Sequence, residues 1–236
     1  MDSAAETIEF NLDECIQEYV KENRPVVSIL TPCYGSVCFV NYVYCIMKTK
    51  EVFEHYNIPV KIEFCKNDSL VTRARNNLIA KAMSDPDITH FMFIDNDITW
   101  DPINIIKLLI ANKPISGGVY PLKNYNWEKL ANNPDLIKER IEKKNNSRVK
   151  NIMDDDLLVQ YSLLNYNLNY IGPKIKIEKN LTEVKHVATG FMMIKRAVIE
   201  KMSEAFPYTK YTDDVNYLEE HENQYAYALF DCGVED

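Results

Sequence analysis

The chain has 236 residues, 46% of them hydrophobic, with few glycines, enough to bury one sizeable core. A net charge of −8 argues against the basic footprint of a nucleic-acid binder, and no apolar run approaches membrane-spanning length. The opening MDSAAETIEF has neither a basic start nor an apolar core, and the six cysteines are scattered with no CxxC pair; no signal peptide is expected, and the thiols are expected to be reduced, mostly core residues of a cytoplasmic protein.

Residues 1–24 read as a polar, acidic extension with a short helix predicted around Leu12 to Val20. The ordered core is expected to begin at RPVVSILTPCYG, a β-branched run bounded by prolines and a glycine, which predicts a buried strand. A helix follows over VCFVNYVYCIMKTKEVFEHY, then a strand over IPVKIEFCKND. In SLVTRARNNLIAKAM the residues Val71, Ala74, Leu78 and Ala82 recur at helical spacing; Arg73, Asn77 and Lys81 fall on another side, and Asp68 and Ser69 are the expected caps. THFMFID is the third strand, and Asp101 with Pro102 opens a further helix. PISGGVYP predicts the next strand. Residues 123–169, rich in Asn and Lys, read as an excursion from the sheet, after which EVKHVATGFMMIKR returns as a strand and AVIEKMSEAF as a helix. Alternating strands and helices predict a single α/β domain, 25–236, with a mostly parallel sheet flanked by helices.

FMFIDNDITW, residues 91–100, drives an apolar strand into Asp95 and Asp97. In an open parallel sheet, ligands bind outside the carboxyl ends of the strands. Thr31 to Gly35, Asp68 and the aspartate pair all fall at such ends. Carboxylates at i and i+2 just past a strand can share a hard divalent ion and leave positions open for phosphate oxygens. Two chemistries use that pattern. In one, that of haloacid-dehalogenase-like phosphotransferases, Asp95 is a nucleophile and Asp97 an acid. In the other, glycosyl transfer from a nucleotide sugar, the pair holds metal and donor diphosphate. Two strand–helix units precede the aspartates, which favours the second.

Four stretches, VSILTPCYG, NDSLVTRARNNLIAKAM, THFMFIDNDITW with SGGVYPLKNYNW, and HVATGFMMIKR, together resemble GT-A-fold glycosyltransferases, in particular a group from large algal DNA viruses and some bacteria. The likeness spans residues 26–196. It implies a GT-A-like fold and a metal-dependent enzyme, with Mn²⁺ or Mg²⁺, that moves a sugar from a nucleoside diphosphate sugar, UDP by family habit, to a carbohydrate or glycoprotein acceptor. A viral member would work in the host cytoplasm. By the same resemblance Thr31, Pro32, Cys33 and Tyr34 line the nucleotide, and Asp68 bonds the base. Arg73 faces the diphosphate or sugar. Asp95, Asn96 and Asp97 hold ribose and metal, with Asp95 and Asp97 as the metal ligands. Gly117 and Gly118 let the backbone approach the sugar, and Trp127, Thr189 and Gly190 shape the sugar and acceptor pocket.

Related chains continue past YALFD into a Ser-Glu-Asp-type motif and a histidine near the metal, whereas this one ends at FDCGVED. The expectation is a shortened or degenerate copy in which the general base and one metal ligand are absent. Asp231, Glu235 and Asp236 are the late carboxylates left, and Asp231 is the one carried as a candidate base. The competing reading, of a different class, is a binding module that keeps the nucleotide-sugar site without turnover.

Overall fold

The computed structural model describes residues 11–147, 153–172 and 175–232. Glu235 and Asp236 therefore lie outside the described residues. The chain divides into two compact units, Met1–Gly118 with Val187–Asp236, and Val119–His186.

The first unit starts with α1 (Leu12–Asn23). Asn11 caps it, its Oδ1 accepting from the Asp13 and Glu14 amides, and Arg24 ends it in the left-handed region at φ 44°. Ile16 is fully buried, and the Tyr19 hydroxyl donates to Asn112 Oδ1 at 3.3 Å. The core thus begins inside the stretch expected to be a polar extension: Leu12, Cys15, Ile16, Tyr19 and Val20 form a buried to half-buried stripe on an otherwise polar helix and dock it.

Then come β1 (Val27–Cys33), α2 (Val40–His55), β2 (Val60–Lys66), α3 (Val71–Met83), β3 (His90–Ile94), α4 (Pro102–Ile110) and β4 (Ile115–Gly117). Asp101 Oδ1 accepts from the Ile103 amide at 3.0 Å and Pro102 takes the first helical position, as the sequence predicts. The expected caps of α3 are not used: Leu70 occupies the cap position, and Asp68 Oδ1 accepts the Leu70 amide from outside the helix.

The second unit holds β5 (Pro121–Tyr125), α5 (Glu128–Asn132), α6 (Leu136–Asn145), α7 (Asp155–Leu163), β6 (Leu164–Tyr166), β7 (Asn169–Tyr170) and β8 (Val184–His186). Its strands form two antiparallel pairs, β5 with β6 and β7 with β8. The excursion expected over 123–169 lies within it. The chain then re-enters the first unit with β9 (Phe191–Lys195) and α8 (Arg196–Ala205). EVKHVATGFMMIKR is therefore two strands, in different sheets, broken at Val187–Gly190.

The central sheet has the order β2-β1-β3-β9-β4. β1 pairs parallel with β2 and with β3, while β9 runs antiparallel to both β3 and β4. The sheet is mixed and mostly parallel, with helices against it. Every residue of β3 is buried, which is why HFMFI is an unbroken apolar run and not an alternating one. Among the described residues no helix is long and apolar enough to cross a membrane.

Gly117 and Gly118 are explained by packing inside this unit. A Cβ on Gly117 would stand 2.5 Å from Val187 Cγ1, and one on Gly118 would stand 2.6 Å from Phe191 Cδ1. The space beside them is filled by β9 and its approach, so neighbouring packing alone accounts for both glycines. Gly118→Ala should force the buried Phe191 ring aside and destabilise the protein by about 1–3 kcal/mol, read as a lowered urea midpoint at unchanged m-value.

Candidate functional site

The parallel register sets the carboxyl ends of β1 and β3 side by side, with β2 on the far side of β1. Past β3 the chain turns at once. The Asp95 amide donates to the Gly190 carbonyl at 2.9 Å, and the Ile98 amide donates back to the Asp95 carbonyl at 3.1 Å, closing a four-residue turn. Asn96 and Asp97 are its central residues. The Asn96 side chain donates to the Val37 carbonyl at 2.7 Å, and its own carbonyl accepts from the Phe39 amide at 3.2 Å. Asn96 thus fastens the turn to the loop after β1, a scaffolding role that differs from the expected ligand contact.

Beyond the turn, Trp100 is a core anchor. Its Nε1 donates to Thr49 Oγ1 at 3.0 Å, and its ring meets Tyr42 edge-on at 5.2 Å. Tyr42 in turn shares a hydrogen bond with the Thr31 hydroxyl. Thr31 is fully buried. Its hydroxyl locks β1 to α2, so the side chain does not line a nucleotide site as expected. Cys33 is buried and Pro32 half-buried, whereas Tyr34 is 71% exposed and free of the sheet edge. An open cavity of about 380 Å³ lies at this end of β1 and β2, lined by Cys33, Ser36, Cys38, Ile62, Glu63, Phe64 and Lys66. It falls within the usual size of small-ligand clefts.

Helix α3 supplies the other wall. Arg75, buried to 8% exposure, donates from its guanidinium to Asp95 Oδ1 at 2.9 Å and lies 6.0 Å from the centre of the Phe93 ring. Next along the helix, Asn76 Nδ2 donates to Asp231 Oδ1 at 2.9 Å, while its Oδ1 accepts the Phe230 amide at 2.9 Å. Phe230 packs edge-on against Phe93 at 5.2 Å. Asn77 donates to Asp213 Oδ1 at 3.2 Å and accepts from the Tyr211 hydroxyl. Asp213 also accepts the Tyr217 and Leu218 amides, at 2.6 and 2.9 Å. Burial first, then the charges of Asp213, Asp231 and Asp68, push the Tyr211 phenol up. Three successive residues of one helix therefore hold carboxylates from three parts of the chain.

Arg73 sits one turn earlier and grips Asp68 with two bonds, Nε to Oδ2 at 2.9 Å and Nη2 to Oδ1 at 2.8 Å. Burial works against ionisation of Asp68. The Arg73 bonds, the Leu70 amide and the Arg73 charge outweigh it, so the carboxyl is held below its ordinary value. The two residues expected to hold base and diphosphate separately are thus joined as a bidentate pair. Arg75, which the sequence reading passed over, is the arginine that meets Asp95. The available signal was the run Arg75-Asn76-Asn77 in mid-helix, since asparagine there needs a partner to offset its poor helix propensity.

Gly190, buried, gives its carbonyl to the Asp95 amide, and Thr189 beside it is half-buried. Trp127 belongs to the second unit, 64% exposed, its ring 5.6 Å from Tyr125. Among the described residues no group of three or more His, Cys, Asp or Glu side chains is placed to hold a metal ion. A Mg²⁺-like ion held by one or two carboxylates with substrate phosphates completing its shell needs no such cage, and the donor set of Asp95 and Asp97 fits that case.

Fold and rim together define a mixed α/β protein whose central strand ends in a pinned acidic turn. No family model matches the chain, and no curated protein matches it. Among solved structures, the crystal structure of A197 from STIV is similar over 85% of this chain and 78% of that one, at 14% identity and a TM-score of 0.43.

Because the Asp68 carboxyl is held low when folded, its contribution is complete above the unfolded carboxylate pKa of about 3.9 and is lost as pH falls through the lower folded value. Urea unfolding across pH should therefore give Asp68→Asn a stability deficit at neutral pH that shrinks as pH falls below the unfolded carboxylate pKa of about 3.9.

Proposed function

We propose that the chain is a metal-dependent glycosyltransferase of GT-A type, moving a sugar from a nucleoside diphosphate sugar, with UDP the expected nucleotide, to a carbohydrate or glycoprotein acceptor. The observation that carries the reading is the union of Asp231 with the Asp95–Asp97 turn, made through adjacent residues of α3: Arg75 holds Asp95 and Asn76 holds Asp231. Consecutive residues of one helix thus tie down a candidate metal carboxylate and a candidate base, although the two aspartates are 136 positions apart in sequence.

Asp95 and Asp97 would hold a Mn²⁺ or Mg²⁺ ion. When bound, that ion supplies charge neutralisation for the leaving diphosphate. Arg75 keeps the Asp95 carboxylate in one orientation, so the turn needs little reorganisation when an anion arrives. Asn76 fixes one Asp231 oxygen and leaves the carboxylate at an exposed position, where it would take the proton of an acceptor hydroxyl. The cavity between the ends of β1 and β2, with Tyr34 beside it, suits a nucleoside.

Calorimetry with UDP and Mn²⁺ tests the binding half. Asp97→Ala should weaken metal-dependent binding at least ~10-fold, measured on protein whose far-UV circular dichroism shows it folded. Wild-type affinity and unchanged Mn²⁺ dependence in that variant would sink the reading. Asp231→Asn tests the chemistry: donor turnover should fall by about 10²–10⁴ while nucleotide affinity holds. A wild-type chain that binds nucleotide but turns over no donor with any acceptor is the incomplete binding module instead.

A further inference from the structure

Two thiols meet at the end of β1. Cys33 closes the strand, and Cys38 lies in the loop before α2. Gly35 and Ser36, at φ 70° and 57°, turn the chain back between them, and the two sulfurs stand 3.3 Å apart. A disulfide needs ~2.05 Å, so the sulfurs must close by only about 1.2 Å. Both cysteines line the open cavity described above, through which a small oxidant reaches them.

We propose that Cys33 and Cys38 form a reversible disulfide on exposure to a hydroperoxide, and that this bond stiffens the loop to which the Asp95–Asp97 turn is fastened. Cys38 is the half-buried partner and reacts first. Burial, then the hydrogen bond to Cys38, pushes the Cys33 thiol up to about 12, which leaves the first step to Cys38; the short sulfur–sulfur distance, and not its acidity, brings Cys33 into the second. In the first step the Cys38 sulfur takes one peroxide oxygen, the O–O bond breaks and a molecule of water or alcohol leaves, giving a sulfenic acid. In the second, the Cys33 sulfur attacks the Cys38 sulfur. The S–S bond forms, the S–O bond breaks, and the expelled hydroxide leaves as water with the Cys33 proton. The two thiols lose two electrons in all, and both end on the peroxide oxygens.

The consequence for the neighbouring turn follows from where Cys38 sits. Val37 accepts from the Asn96 side chain at 2.7 Å, and Phe39 donates to the Asn96 carbonyl at 3.2 Å. Asn96 therefore holds the residues on either side of Cys38. A cross-link at Cys38 restricts both bonds at once. The inference stands on the thiol geometry and does not require the function proposed above.

The test is a peptide map. The protein is treated with hydrogen peroxide, alkylated and digested with trypsin without reduction. The peptide over residues 22–48, which also carries Cys45, should lose two hydrogens and alkylate once; reduction should restore three alkylation sites. The same loss in Cys45→Ala assigns the bond to Cys33 and Cys38. It should vanish in Cys38→Ser, while Cys33→Ser should leave a sulfenic acid at Cys38 that dimedone traps. Full alkylation of all three thiols, in a sample where the exposed Cys232 has been oxidised, overturns the disulfide. Amide hydrogen exchange reads the coupling: the Phe39 amide should exchange several-fold more slowly in the oxidised protein, and an unchanged rate with the bond formed overturns it.

Discussion

A buried guanidinium has to be paired, and Arg75 is the one that organises this protein. It sits in the interior face of α3 at 8% exposure, a position that an isolated charge does not tolerate. Asp95 answers it at 2.9 Å. That demand sets the rotation of α3 about its axis and the place at which β3 must end. Once Arg75 faces Asp95, Asn76 and Asn77 are carried round to meet the returning segment 211–231, which they bind through Asp231, the Phe230 amide and Asp213. Losing the carboxylate while keeping the cation would leave a buried charge unanswered, the situation with the largest cost among single substitutions.

The acidic turn is held from every side by groups that are not themselves acidic. Gly190 takes its first amide, Val37 and Phe39 take Asn96, and Trp100 plugs the chain into the core two residues past Ile98. This is a rigid mount. Carboxylates on a turn so tethered keep their spacing without a ligand, which is the property an anion or cation site needs if binding is not to be taxed by reordering. The same mount explains why Thr31 is unavailable for a ligand: its hydroxyl belongs to the Tyr42–Trp100 chain that supports the turn from below.

Much of the frame was legible in the amino-acid order. Short apolar runs marked the strands, the first of them bounded by proline and glycine; helical spacing marked α3, and Asp101-Pro102 marked the start of α4 to the residue. Helical spacing separated Asn77 from the apolar stripe of α3 without saying what it would face; Asn77 is fully buried because it looks onto another polar segment of the same chain. Pattern alone does not distinguish water from carboxylates as the neighbour. The choice of Arg73 came from the resemblance, and periodicity offered nothing to set Arg75 beside it. Gly117-Gly118 could be read equally as room for a ligand or room for a neighbour, and Val187 and Phe191 decide it. The aspartate turn itself was visible, because a fully buried strand running into two charges leaves few places for them except a rim.

The contacts of α3 also fix a schedule. Arg75 finds Asp95 only 20 residues away, but Asn77 waits for a residue 136 positions on and Asn76 for one 155 positions on. Closing loops of that length carries an entropic cost that local contacts do not, and non-local contacts of this kind slow folding. During synthesis from the amino end, the sheet strands β1 to β3 and their helices can assemble while two buried asparagine side chains are still hydrated by solvent. Asn76 and Asn77 become interior only when the segment 211–231 has emerged and docked, so the contacts through Asp213 and Asp231 form on a chain whose strands β1 to β3 can already be paired.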